Sequence, residues 1–185
     1  MDNNKYKLIL SAQMGNMEAL EKLIKLEQNN IYTTLFYLKK DDNELYDIMQ
    51  NVLVKVTRKI NQLKNPLFFK TWLNKIIVNT YHDYTRKEFK YTKNSEYKEN
   101  LNEIPDEKNN PSNNILYTEL DITIKKAIQN MPNHYKIPIT LREIQGLSYE
   151  NISNITNTSI GTVKSRIARA RGIIKNEVNK YTQSK

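Results

Sequence analysis

The stretch LREIQGLSYENISNITNTSIGTVKSRIARAR, residues 141–171, contains two segments of apolar period separated by a short polar turn. Ser148 precedes the first segment and Asn151 follows three residues later, an imperfect capping box that predicts a helix ending at about Ile155. Residues 157–159, Asn-Thr-Ser, predict a turn, after which the helical period resumes. Two helices joined by so short a turn are typical of a helix-turn-helix.

The second helix of this pair has an inward apolar face and an outward cationic face. The inward residues are Ile160, Val163, Ile167, Ala170 and Ile174. The outward residues are Lys164, Ser165, Arg166, Arg169 and Arg171. A recognition helix places its first residues against base edges in the major groove, while further cations contact phosphates. The outward face therefore predicts DNA binding, with ordinary surface charge as the alternative for Arg166 and Arg169.

Positive charge is concentrated in two separate parts of the 185-residue chain, whose formal net charge is +9. Residues 1–53 carry −2, residues 54–93 carry +8, residues 94–159 carry −3 and residues 160–185 carry +6. Two positive segments fit a polyanion held at two places, because Lys and Arg gain affinity by releasing counterions from nucleic acid. Charge kept for solubility, or Lys and Asn enriched by an AT-rich genome, would give the same composition.

The amino-terminal half predicts amphipathic helices. Between Leu8 and Leu38 the pattern predicts two helices separated at Gly15-Asn16. The next, long helix has its buried stripe at Leu45, Ile48, Met49, Val52, Leu53, Val56 and Ile60. Its opposite face presents Asp47, Gln50, Asn51 and Val54. From the pattern alone, the default interpretation is that this face is exposed to solvent and has no partner.

A further helix follows the interruption at Asn65-Pro66. Its core face comprises Phe69, Leu73, Ile76, Ile77, Thr80 and Tyr84. An adjacent face comprises Phe68, Trp72, Lys75, Asn79 and Arg86. Aromatic, amide and cationic side chains placed together can stack on unpaired bases and hydrogen-bond to them. For Phe68 and Trp72, burial in the core is the alternative.

The remaining segments predict a linker and two more helices. Residues 89–114 lose apolar period, are polar and contain two prolines, which indicates a flexible linker that spans at most ~90 Å when extended. The period from Leu120 to Met131 predicts a helix that ends before Pro132. Tyr135 to Ile144 predicts another helix, with Pro138 in its first turn, where a missing N–H costs little.

Together these segments predict an all-α protein of two small helical domains joined by a polar flexible linker, the second domain being the helix-turn-helix. The chain has no Cys and no apolar run of the ~20 residues that cross a bilayer, so we expect a cytoplasmic protein. His82 and His134 stand in different domains without a nearby acid and nucleophile. Phosphate-binding loops and paired metal-ligand spacings are missing from the sequence, so we expect no enzyme activity, no metal and no cofactor.

The sequence of residues 141–171 resembles the carboxy-terminal promoter-binding domain of sigma-70 family factors of the small extracytoplasmic-function type. In the first half, LYDIMQNVLVKV, residues 45–56, resembles the core-polymerase-binding helix of that family. FKTWLNKIIVNTYHDYTRKE, residues 69–88, resembles its promoter-melting and minus-ten segment. The resemblance covers nearly the whole chain and implies a region 2 domain over residues 1–88, a linker over 89–114 and a region 4 domain over 115–185.

The resemblance implies a promoter-specificity subunit of bacterial RNA polymerase without catalytic chemistry. It assigns docking on the clamp of the largest polymerase subunit to Asp47, Gln50, Asn51 and Val54. It assigns the minus-ten element to Phe68, Trp72, Lys75, Asn79 and Arg86. It assigns the minus-thirty-five element to Thr162, Lys164, Ser165, Arg166 and Arg169. Tyr46 departs from the family, which usually has a second acid at that position.

The resemblance also implies partners beyond promoter DNA. The carboxy-terminal domain would hold the flap of the second-largest polymerase subunit, and an anti-sigma factor would silence the chain. No small-molecule substrate is expected. The alternative function is that of a conventional helix-turn-helix transcriptional regulator, which would bind duplex DNA specifically without polymerase. The polar linker and the face containing Asp47 and Gln50 argue for the sigma factor.

Overall fold

A computed structural model describes residues 3–39, 41–94 and 119–183, and every regular element in these ranges is helical. The helices are α1 Asn3–Gln13, α2 Met17–Leu38, α3 Asp42–Lys59, α4 Phe69–Asn94, α5 Glu119–Asn130, α6 Asn133–Ile139, α7 Tyr149–Thr156 and α8 Ile160–Gln183. Short 3₁₀ turns cover Ile60–Gln62 and Pro66–Phe68, and a π-helical turn covers Thr140–Ile144. The expected all-α architecture is confirmed.

Helices α1 to α4 form the amino-terminal module, residues 3–94. The stripe predicted for α3 is buried except at Leu53, which is half-buried, and it packs against α2 and α4. Leu45, Ile48 and Val52 are all at 0% exposure, and the last member, Ile60, is buried in the 3₁₀ turn that follows α3. Side chains cap the helix starts: the Asp41 carboxylate accepts from Asn43 N at 2.8 Å, and the Asn16 amide oxygen accepts from Ala19 N at 3.0 Å. Such caps satisfy amide groups that have no partner within the helix.

Helix α4 is longer than its apolar period indicates. The predicted linker began at residue 89, whereas α4 continues to Asn94. Glu88 supports this end of the helix by accepting from Lys39 Nζ at 2.8 Å, and the sequence has no proline between Pro66 and Pro105 that would end it earlier. The linker prediction for residues 95–114 falls outside the residues that the structure describes.

Helices α5 to α8 form the carboxy-terminal module, residues 119–183, in which α8 packs against α5, α6 and α7. Val163, Ile167 and Ala170 of α8 are buried, as expected, and Ile174 is half-buried. The inward position expected for Ile160 is wrong, because this first residue of α8 is 39% exposed. At the start of the helix, no preceding turn of α8 covers its side chain.

The expectation that Pro138 lies in the first turn of its helix is also wrong. Helix α6 begins at Asn133, so Pro138 is its sixth residue. Pro138 removes one backbone donor from the helix interior, and directly after it the ladder widens to the π spacing, with Gln145 N donating to Thr140 O at 3.2 Å. The chain then turns through Gly146, whose φ is +63°, toward α7.

The helix-turn-helix is held by hydrogen bonds of its turn. Ser148 Oγ accepts from Asn151 N at 3.2 Å and so caps α7, as the capping box predicts. Asn157 ends α7 in the left-handed conformation, φ 51° and ψ 46°. Ser153 Oγ donates to Thr158 O at 2.5 Å, and Ser159 Oγ accepts from Thr162 N at 3.1 Å at the start of α8. These hydrogen bonds fix the orientation of α8 relative to α7 across a turn of three residues.

The two modules are in contact. The carboxyl end of α2 packs against α5 and the π-helical turn, and α4 packs against α7. Within the described ranges no helix is long and apolar enough to span a bilayer.

The left-handed residue of the turn allows a stability test. We expect Asn157→Ala to lower the free energy of unfolding by ~1 kcal/mol. The Cβ of alanine disfavours the left-handed conformation, and alanine lacks the polar side chain that lets asparagine adopt this conformation. Asn157→Gly should be neutral or slightly stabilising, since Gly adopts positive φ without this penalty. Urea unfolding of both variants measures the difference. Equal stability of the two would contradict the account of the turn.

Candidate polymerase and nucleic-acid interfaces

The outer face of α3 is exposed in the middle of a well-anchored helix. Asp47, Gln50, Asn51 and Val54 all face solvent, and Val54 is 47% exposed. Asn51 Nδ2 donates to Asp47 O at 2.9 Å, which orients the amide along the helix. This predicted docking residue set therefore forms one continuous surface, with one carboxylate beside amide and apolar groups. Tyr46 borders it and is 40% exposed.

The loop before α4 presents one aromatic side chain and buries the next. Phe68 closes the 3₁₀ turn and is 59% exposed, whereas Phe69 is buried at 1% exposure. The core alternative for Phe68 is therefore wrong. Trp72 is half-buried and packs against the core, with its ring 5.8 Å from that of Phe69. Trp72 thus supports the core with part of its surface and leaves the rest accessible.

A residue that the sequence motifs did not indicate holds this loop. Gln13, the last residue of α1, donates from Nε2 to Leu63 O at 2.6 Å and to Ile60 O at 3.3 Å. These two carbonyls flank the start of the loop that leads to Phe68. The interaction joins residues about fifty positions apart, so no local period indicates it.

The five candidate minus-ten residues divide between two neighbouring clefts. Phe68, Trp72 and Lys75 line a cleft of about 430 Å³, together with the loop residues Lys64 and Asn65. The other cleft, of about 530 Å³, lies between α3 and α4. Its lining includes Lys55, Lys59, Asn79, His82, Asp83 and Arg86. The structure thus brings the aromatic and the cationic candidates to one side of the module without joining them in a single pocket.

The cationic cleft has defined electrostatics. Lys55 Nζ donates to Asp83 Oδ2 at 2.9 Å, and this hydrogen bond lowers the pKa of the Asp83 carboxyl below its usual value. Although His82 is exposed over part of its surface, the partial desolvation of its ring lowers its pKa, and the positive charge of Arg86 lowers it further. His82 is therefore held toward its neutral form, which donates one hydrogen bond and accepts another. The cleft combines cations with a neutral imidazole and an amide.

Four of the five candidate minus-thirty-five residues lie along the accessible side of α8. Lys164, Ser165 and Arg169 are exposed, and half-buried Thr162 hydrogen-bonds Ser159 Oγ at 2.8 Å. Arg169 Nη1 donates to Tyr135 OH at 3.4 Å, a weak contact that leaves the guanidinium accessible.

Arg166 is placed differently. It is half-buried and lines a cleft of about 520 Å³ that also contains Asn79 and His82 of the amino-terminal module. As expected, Arg166 points away from the core of the carboxy-terminal module. In the whole chain, however, its side chain faces α4 of the amino-terminal module. Arg171, also expected to be outward, is exposed and donates from Nη2 to Glu143 Oε1 at 2.6 Å.

The cationic cleft generates a titration test. Arg86→Gln should raise the pKa of His82 while leaving it below the ordinary value, because the partial desolvation of the ring remains. NMR titration of the His82 ring protons measures this, with Lys70→Gln as an exposed control that should cause no change. Since the folded pKa lies below the unfolded one, His82 lowers stability as pH falls through that window, and Arg86→Gln should reduce this loss. An unchanged midpoint in Arg86→Gln would show that the guanidinium does not act on the imidazole.

Comparison with known proteins agrees with this division into two modules. Residues 23–90 match the family described as Sigma-70 region 2, and residues 122–173 match Sigma-70, region 4. The chain is 33% identical over 178 residues to the ECF RNA polymerase sigma-E factor of Haemophilus influenzae, covering 92% of this chain and 93% of the relative. It is 32% identical over 181 residues to the sigma-E factor of Escherichia coli K12, covering 92% of each.

Solved structures show the same fold. The sigma factor RpoE of Bartonella quintana, solved in complex with the anti-sigma factor NepR, matches with a TM-score of 0.69 at 23% identity, covering 86% of this chain and 96% of that one. CnrH, solved with the cytosolic domain of CnrY, matches with a TM-score of 0.66 at 16% identity, covering 96% and 99%. With regions 2 and 4 both present in order and relatives matched over nearly their full length, the chain belongs to the sigma-70 family of RNA polymerase sigma factors, in its extracytoplasmic-function (ECF) group.

Proposed function

We propose that this chain is an alternative sigma factor that binds core RNA polymerase and directs promoter recognition, melting and transcription initiation. The observation that carries the proposal is the presence, in one chain, of the exposed α3 face around Asp47 and of a helix-turn-helix whose second helix is cationic. The exposed α3 face lies within residues 23–90, which match region 2, and most of the helix-turn-helix lies within residues 122–173, which match region 4. The function is a binding function, without an enzyme reaction or a cofactor.

In this proposal, region 2 covers residues 1–88 and docks on the clamp of the largest polymerase subunit through Asp47, Gln50, Asn51 and Val54. A contact between Asp47 and a basic partner residue contributes ~1 kcal/mol at an exposed site and more if water is excluded. Val54 adds apolar area that becomes buried on docking. Tyr46 borders this face with 40% of its surface exposed and supplies an aromatic contact.

The minus-ten element is bound, we propose, by the loop and clefts beside α4. Melting exposes unpaired bases, and capture of a flipped base costs a few kcal/mol of unstacking. Exposed Phe68 supplies a stacking surface, and Trp72 with Lys75 lines the adjoining cleft. Asn79 and Arg86 in the cationic cleft supply an amide and a phosphate contact.

Region 4, residues 115–185 in this proposal, binds the minus-thirty-five element through α8. Thr162, Lys164 and Ser165 lie in its first turns, where a recognition helix contacts base edges. Arg169 follows one turn after Ser165 on the accessible side, and Arg166 follows one turn after Thr162 with its side chain facing α4. An Arg that contacts a guanine in bidentate fashion contributes about 1–3 kcal/mol of discrimination against other bases.

Further partners are proposed on the family's evidence. The apolar surface of region 4 holds the flap of the second-largest polymerase subunit. We propose that an anti-sigma factor binds the chain in the cytoplasm and blocks its polymerase surfaces, by analogy with RpoE of Bartonella quintana, which was solved in complex with the anti-sigma factor NepR. A pull-down from resting host cells that returned polymerase but never such a regulator would contradict the anti-sigma proposal.

The docking surface is tested by Asp47→Ala. We expect this change to weaken binding to core polymerase about fivefold while leaving helicity intact, because it removes one charge from an exposed face. Fluorescence anisotropy of labelled chain titrated with core polymerase measures the affinity, and circular dichroism measures helicity. Glu21→Ala, which removes an exposed carboxylate from α2, is the control and should bind as the native chain does. Loss of helicity in Asp47→Ala would mean that the face is structural.

The recognition helix is tested by Arg166→Ala and Lys175→Ala. In the polymerase complex, Arg166→Ala should lower transcription about tenfold or more on the matched minus-thirty-five sequence and much less on a scrambled one. Lys175→Ala, an exposed cation further along α8, should act mildly and equally on both sequences. Run-off transcription from the two templates measures the ratio. Equal loss on both templates for Arg166→Ala would identify it as a phosphate contact.

A further inference from the structure

The loop before α4 is anchored at every third residue. Leu63, Pro66 and Phe69 are buried. Phe68, between two of these anchors, is 59% exposed, and its amide N–H donates to Asn65 O at 3.0 Å, which closes the 3₁₀ turn. The exposed phenyl ring therefore projects from a backbone whose position depends on the buried anchors on either side of it.

Gln13 holds the first of these anchors from outside the loop. The carbonyls at the end of a helix have no donor within it, so they need an outside partner or water. Gln13 Nε2 lies 2.6 Å from Leu63 O and 3.3 Å from Ile60 O, and its two N–H groups serve both carbonyls. Leu63 N also donates to Ile60 O, at 3.2 Å. Gln13 thereby fixes the backbone at the point where the chain leaves α3 and its 3₁₀ turn for the exposed part of the loop.

Helix α1 is a firmly anchored support for the Gln13 amide. Ile9 is fully buried, and α1 packs against α2. Lys5 forms an ion pair with Glu27 of α2, which is 6% exposed, and Lys5 Nζ lies 5.5 Å from the centroid of the Phe69 ring. A buried carboxylate is costly without a cationic partner, so this pair ties α1 to α2 and to the start of α4. The position of Gln13 is therefore determined by packing within the amino-terminal module.

The backbone that Gln13 holds also forms part of the aromatic cleft. Leu63 lines the cleft of about 430 Å³ together with Phe68. A base that stacks on Phe68 is identified by hydrogen bonds from neighbouring polar groups, and these weaken steeply when their distances and angles change. Displacement of the Leu63 backbone would also displace Lys64 and Asn65, whose side chains line the same cleft. The accuracy of base recognition in this cleft therefore depends on a fixed Leu63 backbone.

Building on the sigma-factor function proposed above, we infer that Gln13 is a positioning residue for minus-ten recognition. It acts through Leu63 O and Ile60 O on the loop that binds an unpaired minus-ten base, and so determines how strictly that base is selected. Gln13 is half-buried, and its amide is directed to backbone carbonyls. Helix α1 lies outside residues 23–90, which match Sigma-70 region 2. The first helix of the chain thus takes part in promoter specificity without contacting DNA through Gln13.

The test removes the donor while keeping the length of the side chain. Gln13→Met has the same number of side-chain atoms in line and no N–H group, so both carbonyls lose this partner. Gln13→Glu places a carboxylate against the two carbonyls, and the repulsion should displace the loop further. Gln28→Glu makes the same chemical change at an exposed position of α2 and is the control. Because Gln13 lies away from α3's outer face and from α8, affinity for core polymerase and minus-thirty-five discrimination should stay at the native values.

Base discrimination by the complex with core polymerase is the first readout. The native complex selects a minus-ten sequence from a randomised promoter library. Single-stranded non-template oligonucleotides with that sequence, and with one base substituted at each position in turn, are then titrated by fluorescence anisotropy. At the position of the bound base, the ratio of affinities for the selected and substituted strands should fall about fivefold in Gln13→Met and about tenfold in Gln13→Glu. Gln28→Glu should keep the native ratio.

A double-mutant cycle separates positioning from a general structural role. In the Phe68→Ala background, where the stacking surface is already missing, Gln13→Met should lower discrimination no further, because both changes act through the same loop. In the Asp47→Ala background, which weakens polymerase docking, Gln13→Met should still lower discrimination about fivefold. A merely structural change would have the same effect in both backgrounds.

Native discrimination in both Gln13 variants would overturn the inference, and so would full additivity of Gln13→Met with Phe68→Ala. If the native complex selects no minus-ten sequence, the proposed function fails instead. Hydrogen exchange of the free chain then decides whether Gln13 holds the loop. The amide N–H groups of Leu63 and Phe68 should exchange about fivefold faster in Gln13→Met than in the native chain, with that of Val52 in α3 unchanged. Equal exchange in the two chains would overturn the positioning role.

Discussion

Burial of one apolar stripe on each long helix is the constraint on which both functional surfaces depend. In α3, Ile48 and Val52 of the stripe are removed completely from solvent, so the residues on the opposite side of the helix face outward. The same geometry in α8, with Val163, Ile167 and Ala170 inside, leaves the cationic side free of its own module. Docking and recognition residues are thus oriented by core packing, and none of them needs to contribute to folding.

Polar interactions then determine how these rigid surfaces are arranged. Within the modules, Ser148, Asn157 and Gln13 fix the helix-turn-helix and the loop before α4 through hydrogen bonds to backbone groups. Between the modules, Gln129 donates to the backbone carbonyls of Phe36 and Lys39, and Gln145 donates to the Thr34 hydroxyl.

Much of this arrangement is predictable from the sequence, and the exceptions have physical reasons. Helices α1 to α3, α5 and α7 follow their apolar period closely, because amphipathic helices in small modules bury one face. Helix α4 continues beyond its apolar period to Asn94. Helix propensity places Pro138 in the first turn of its helix, whereas packing in the folded chain tolerates this proline in the helix interior. Ile160 is exposed, although its period predicts an inward position, because a first-turn residue has no preceding turn to cover it. Gln13, Gln129 and the inward orientation of Arg166 were not predictable, since contacts between distant residues leave no local period.

The most direct measurement of the central claim is transcription from a library of randomised promoters by core bacterial polymerase, with and without this chain. The account predicts that adding the chain selects promoters that share two separated elements, one read by region 2 and one by region 4. Selection of no promoters by the polymerase, together with specific binding of duplex DNA by the chain alone, would contradict the account and identify a conventional helix-turn-helix regulator.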